Sequence, residues 1–281
     1  MKSLLTPLLL IAFSLLATSA TYAETANTRV QIHTGQAPAL DQGQSQAQSK
    51  SKQITLNYAS AVRTEQVLKD AQLQIAKHSL LTTPVYWLQA AIFTQPLEQE
   101  KSALLALIAE KQSEFDITDE RYIALSTLHQ FISSSHFAKR AALELDYDQT
   151  RITSSANPLL SGELTLQLPA RSEQVWVLGA VTEAGAIKWQ QRQSTAEYLE
   201  QAKAISAAEN DTAVVIQPDS KIQTHPIAYW NERHHDIAPG AIIYLPFTGG
   251  WLAPLDNLGF DASGFNEINQ AVVSLLRERV L

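Results

Sequence analysis

Residues 225–247, HPIAYWNERHHDIAPGAIIYLPF, read as strand, turn, strand. Residues 226–230 are short and rich in aromatic and branched side chains, as suits a packed strand. Ala238, Pro239 and Gly240 then turn the chain, since proline presets one backbone angle and glycine accepts the positive φ that other residues resist. Residues 241–245 are apolar at both parities, which predicts burial on both faces. Pro246 ends the pairing by removing a backbone donor.

Working outward, residues 175–181 (VWVLGAV) form a strand, 183–186 a turn and 187–190 a second strand. Ser194 and Glu197 make a capping box, each satisfying the other's free amide at a helix start. Tyr198, Leu199, Ala202 and Ile205 share the face of that helix. Residues 213–216 add a short strand. A hairpin, a helix and further strands predict a mixed sheet crossed by one helix, a β-grasp arrangement.

Residues 29–33 and 54–58 read as strands, and a helix from Thr64 carries Val67, Leu68, Ala71 and Ile75 on one side. The apolar run 84–93 is too short to assign between strand and buried helix. Two helices follow. Leu104, Leu105 and Ile108 face inward from the first, and Tyr122, Leu125, Leu128 and Ile132 from the second, which Thr118 caps. Their short link predicts an antiparallel hairpin at about 97–133. Strand character returns at 142–147, and Leu164, Leu166 and Leu168 alternate with polar neighbours. The fold class is thus α+β, with two tandem β-grasp domains at 24–168 and 169–258, the hairpin being inserted in the first. Residues 35–52, rich in glutamine, serine and alanine, lack a hydrophobic period and predict a flexible loop. Residues 259–281 form an amphipathic tail helix. Its stripe of Phe265, Ile268, Val272, Leu275 and Leu276 either docks on its own domain or meets a partner.

Residues 1–23 have the layout of a cleavable secretory signal: Lys2, an apolar core at 8–17, and small residues before Glu24. The apolar run falls short of the ~20 residues a transmembrane span needs. The formal net charge of −7 becomes −8 once Lys2 is removed, and no basic stretch concentrates the positive charges. Nucleic acid and anionic lipid are poor partners for such a chain. There is no cysteine, so disulfides, thiolate metal sites and a cysteine nucleophile are all excluded.

No nucleophile elbow, zinc-helix or phosphate-loop motif occurs, so no catalytic residue, metal or cofactor is assigned. His234 and His235, beside Glu232 and Asp236, read as a polar loop more readily than as a metal site, because adjacent strand residues face opposite ways. Glu114, Asp116, Asp119 and Glu120 sit at helix ends, where acids near an N-terminus favour the dipole. Trp230 and Trp251 offer flat faces to a sugar, although most aromatics of the second half lie in predicted strands and belong in the core. Asp148 and Arg151, followed by Asn157, make the most promising polar run. An arginine there either holds the junction of the two units or binds an anionic ligand through its planar fork.

Asp148, Arg151, the Asn157-Pro158-x-Leu160 run, the strand at 175–181, the 228–246 stretch and the amphipathic tail together resemble the GfcC-type capsule biosynthesis family. The resemblance covers nearly all of the mature chain except 35–52. It implies a periplasmic protein encoded with group 4 capsule or related exopolysaccharide systems, with tandem β-grasp domains, an inserted hairpin and a terminal helix. The layout looks like the periplasmic domains of outer-membrane polysaccharide exporters. The exporters' sugar-binding-type module carries an acid after the turn glycine, where this chain has Ala241. The family's arginine between the domains is assigned to Arg151. The expected role is that of a non-enzymatic accessory protein, monomeric, binding the export machinery or the capsule polysaccharide. A glycan-processing enzyme using Arg151 with Asp146 or Asp148, or a carbohydrate-binding module built on Trp230, are the alternatives.

Overall fold

The computed structural model describes residues 27–35, 54–143, 145–231, 233–248 and 264–281. The predicted signal (1–23), nearly all of the glutamine-rich loop and Trp251 lie outside the described residues.

Strands β1 (Thr28–His33) and β2 (Ile54–Tyr58) pair antiparallel and begin a six-stranded sheet. Next come the two-residue strand β3 (Val62–Arg63) and helix α1 (Thr64–His78). Val67, Leu68, Ala71 and Ile75 of α1 are buried, as the stripe predicts, against Val30, Ile32, Leu164 and Leu166 of the sheet. The unassigned apolar run resolves into a 3-10 turn at Trp87–Gln89 and strand β4 (Ala91–Pro96).

Helices α2 (Glu98–Gln112) and α3 (Glu120–Ser134) interrupt the sheet. Gln112 at the end of α2 bonds Ser126 of α3, while Lys101 at the start of α2 reaches the carbonyl of Ser135, just past α3. The α3 N-cap is Asp119, not Thr118: its carboxylate accepts the Arg121 amide and also pairs with the Arg121 guanidinium. Strand β5 (His136–Arg140) then returns to pair with β4.

The described residues of 142–147 do not form the expected strand. They lead instead into helix α4 (Tyr147–Ile152), capped by Asp146. Leu143, Leu145 and Tyr147 alternate in sequence and all pack on the first core, the two leucines ahead of α4 and Tyr147 as its first residue. The short strand β6 (Leu159–Leu160) pairs with β3, and β7 (Glu163–Gln167) enters the large sheet parallel to β1 and antiparallel to β4.

The second sheet repeats this connectivity. Strands β8 (Gln174–Gly179) and β9 (Gly185–Lys188) form a hairpin, and helix α5 (Thr195–Ala202) follows with the predicted Ser194–Glu197 capping box complete. Strands β10 (Thr212–Ile216) and β11 (Ile222–Pro226) pair antiparallel. Strand β12 (Ile242–Leu245), wholly buried, sits between β8 and β10, parallel to the first. Gly179 closes this central pair. A Cβ there would stand 2.1 Å from the Leu245 carbonyl oxygen, so only glycine lets the strands approach. The Pro239–Gly240 turn forms as read, with Gly240 at φ +94° and the Ala241 amide bonded to Ala238.

Residues 226–230 depart from the reading. Strand β11 ends at Pro226, and Ala228–Asn231 is a turn closed by the Asn231 amide on the Ala228 carbonyl. Tyr229 and Trp230 therefore project into solvent, 99% and 76% exposed.

The chain ends with helix α6 (Phe265–Leu276) and strand β13 (Arg279–Val280). Phe265, Ile268, Val272, Leu275 and Leu276 are all buried within the chain. Of the two readings of the stripe, docking within the chain is the one this packing fits, and these residues are not left facing a partner, since α2 and the second sheet cover the apolar surface. The α2–α3 pair joins the same core: Leu104, Ile108, Leu125, Leu128 and Ile132 pack with the second sheet and α6, not with α1. The final strand β13 then pairs with β5 of the first sheet.

Candidate functional site

The two units meet around Arg140, the last residue of β5. Its guanidinium donates to the carbonyls of Ala90, in the first unit, and Pro218, in the β10–β11 turn of the second, each at 3.1 Å. Its backbone amide donates to the Glu278 carboxylate at 2.6 Å. One side chain thus joins both sheets and lies beside the tail. Burial pulls the Arg140 pKa down, while Asp219 and Glu278 oppose the shift by favouring the cation. Arginine keeps its charge under these conditions.

Arg140 lines a cleft of about 520 Å³ whose walls include Trp87, Leu88, Leu145, Asp219 and Lys221. Asp146 is also in the lining, but its carboxylate accepts the Asp148 and Gln149 amides at the start of α4. Asp219 is held by Lys221 at 2.8 Å. The acids of the cleft are therefore engaged in capping and ion pairing. What the cleft offers is a cation between two carbonyls, an aromatic wall and a charge pair, an arrangement that binds and orients polar groups.

The residues named from sequence are dispersed. Arg151 is exposed on α4, its guanidinium 5.7 Å from the Tyr147 ring, and does not stand between the units. The junction arginine is Arg140, which lies in HFAKR, a stretch whose single large apolar side chain gives little strand pattern. Asp148 is exposed one turn earlier. Asn157 acts structurally: its Oδ1 accepts the Glu65 amide at 3.0 Å and so caps α1 from a distant loop. Neighbouring Pro158 accepts the Thr64 amide at 3.1 Å. Trp230 stands apart on its exposed turn. Sequence spacing brings none of these four into one cavity.

The histidines separate as well. His235 stacks on His225 at 4.6 Å, and His234 reaches Asp236 at 3.3 Å. His225 is buried, with Nδ1 2.6 Å from the Thr195 hydroxyl and Nε2 3.1 Å from Gln223 Oε1. Burial, assisted by His235, lowers its pKa to about 4. Among the described residues no group of three or more His, Asp or Glu is placed to hold a metal ion. Nor, among them, is any helix long and apolar enough to cross a membrane.

Comparison with known proteins decides the family. Residues 42–171 match the family model described as capsule biosynthesis GfcC, N-terminal, and residues 183–281 match that described as capsule biosynthesis GfcC C-terminal. The chain belongs to the GfcC capsule biosynthesis family. A GfcC-family relative, the uncharacterized protein YjbG of Escherichia coli (strain K12), is 29% identical over 181 residues, covering 62% of this chain and 73% of YjbG. The two matched ranges include the residues that line the Arg140 cleft and the terminal helix, while β1 and β8 lie outside them.

Proposed function

We propose that the protein is a non-enzymatic periplasmic accessory factor in capsule or exopolysaccharide assembly and export. It acts by presenting surfaces to an export component and to the polymer. The observation that carries this reading is the GfcC match across both halves of the chain. The junction supports it, because the acids of the Arg140 cleft are tied up in caps and ion pairs instead of facing one another across a cavity. The secretory layout of residues 1–23 supports the periplasmic placement.

The repeated connectivity supports reading both units as β-grasp modules: a hairpin, a crossing helix and a late strand entering parallel to the first. The α2–α3 pair is then an insertion that clasps the second module to the first. Deleting the gene is expected to reduce polysaccharide at the cell surface while lipid-linked precursor is still made. Surface polysaccharide unchanged in amount and length would sink the proposal.

A further inference from the structure

A second cleft, of about 570 Å³, lies on the β9–α5 side of the second unit and reaches Leu88 of the first. That volume falls within the ~300–1,000 Å³ usual for small-ligand sites. Its aromatic wall is Trp189, half-buried and held from several directions. The indole Nε1–H donates to the Ile237 carbonyl at 2.8 Å, and the backbone amide donates to Glu173 at 2.8 Å. Arg171, which lines a neighbouring cleft, stacks 5.2 Å from the ring. A ring fixed in this way gives up little freedom when a ligand lies against it.

The polar lining holds four side-chain amides, Gln191, Gln193, Gln217 and Gln223, beside two cations, two acids and His234. Gln217 is locked, donating to Gln223 Oε1 and to the Asp236 carbonyl and accepting from the Ala238 amide. Gln191 is exposed at the rim. Gln193 has a buried Oε1 with no hydrogen-bond partner in the molecule. A buried acceptor without a partner is uncommon, which singles out Gln193 among the lining amides. The formal charges of the lining balance, Lys221 and Arg192 against Asp219 and Asp236, with Lys221 paired to Asp219 and His234 reaching Asp236. No surplus charge selects a phosphate or a polyanion. Glutamine amides both donate and accept, which matches hydroxyl groups, and the indole face matches the C–H face of a sugar ring.

We propose that this cleft binds a neutral saccharide, one ring lying against Trp189 and its hydroxyls meeting Gln191, Gln193 and Lys221. The inference deepens the functional reading above and rests on it for the choice of glycan. The probe is a set of short oligosaccharides made by partial hydrolysis of the producing cell's own surface polysaccharide, titrated into the full mature chain by calorimetry. Trp189→Ala is expected to weaken binding about tenfold or more. Gln191→Ala and Lys221→Ala, at exposed positions that leave the fold intact, should each weaken it several-fold. Trp230→Ala should leave it unchanged, and added salt should have little effect. Failure of the wild-type chain to bind, cleft variants that bind as tightly as wild type, or affinity that collapses with salt would each overturn the proposal. The gene-deletion phenotype is read separately, so a failed titration beside altered surface polysaccharide removes this site and leaves the accessory role standing.

Discussion

At Asn157 one side chain replaces what the local sequence lacks. Arg63, at the N-cap of α1, offers no capping side chain, and the helix start is completed from 92 residues away by Asn157 Oδ1. Asn157→Ala should therefore cost about 1 kcal/mol, the usual worth of an N-cap, as measured by urea denaturation. An unchanged midpoint would mean that water serves the Glu65 amide equally well. His225 gives a pH signature. Its two ring nitrogens are satisfied in the neutral form by the Thr195 hydroxyl and by Gln223. Unfolded, it takes its proton near pH 6.5; folded, only near pH 4. Between those values the unfolded chain binds the extra proton, so this contribution is complete above pH 6.5 and declines as pH falls toward 4. The melting temperature should drop across the upper part of that window, and His225→Gln should flatten the drop. Parallel profiles for the two proteins would show that carboxylates account for the slope.

At the scale of elements, helix α6 is fixed by its stripe and by Asn269. Oδ1 accepts from the Tyr244 hydroxyl at 2.7 Å and the Phe247 amide at 3.1 Å, while Nδ2 donates to the Phe247 carbonyl at 2.8 Å. Tyr244 is wholly buried, and burial raises its pKa, so the hydroxyl needs that acceptor. Asn269→Ala should cost roughly 2–3 kcal/mol by stranding the Tyr244 hydroxyl and the Phe247 groups. Tyr244→Phe in the same background should cost much less than it does alone, and additive losses in that double-mutant cycle would refute the coupling. What could be read from sequence follows the same division. The α1 stripe, the Ser194–Glu197 box and the Gly240 turn were legible because each depends on residues a few positions apart. Strand β5 was not, because Phe137 is its one large apolar residue and its pairing comes from β4 and β13. Arg140, the last residue of that strand, carries no sequence signal of its own. Aromatic residues favour sheets and so predict a strand through Trp230, yet the strand stops at Pro226. An amphipathic stripe announces that a face will be buried without naming what buries it. For this reason the destinations of α2, α3 and α6 had to come from the structure.

At the scale of the molecule, the two units exchange elements. The first contributes α2 and α3 to the core of the second, and the second returns its tail as a strand of the first sheet. Arg279 marks the return. Its guanidinium lies against both the Phe131 and Trp176 rings, at 4.8 and 5.0 Å, beside the contact those two rings make with each other, while Nε is buried without a partner. Burial lowers its pKa to about 10, and the two ring contacts offset part of the desolvation that the unpartnered Nε leaves. Beyond it, the Leu281 amide donates to Gln167 Oε1 at 2.7 Å, and Gly35 lies so close that a Cβ there would sit 2.7 Å from the Leu281 carbonyl oxygen. A chain stopped after Glu278 keeps α6 and both hydrophobic cores but loses this returning strand and the stacked cation. It should stay folded and soluble, with unfolding that begins at a lower temperature and splits, the first sheet melting before the second. Arg279→Ala should reproduce part of the loss, about 1–2 kcal/mol, because it removes the cation and its packing from the two rings while the β13 backbone remains paired. If calorimetry of the shortened chain instead gives one transition at the wild-type temperature, the α2–α3 clasp alone couples the two units and the returning strand adds nothing.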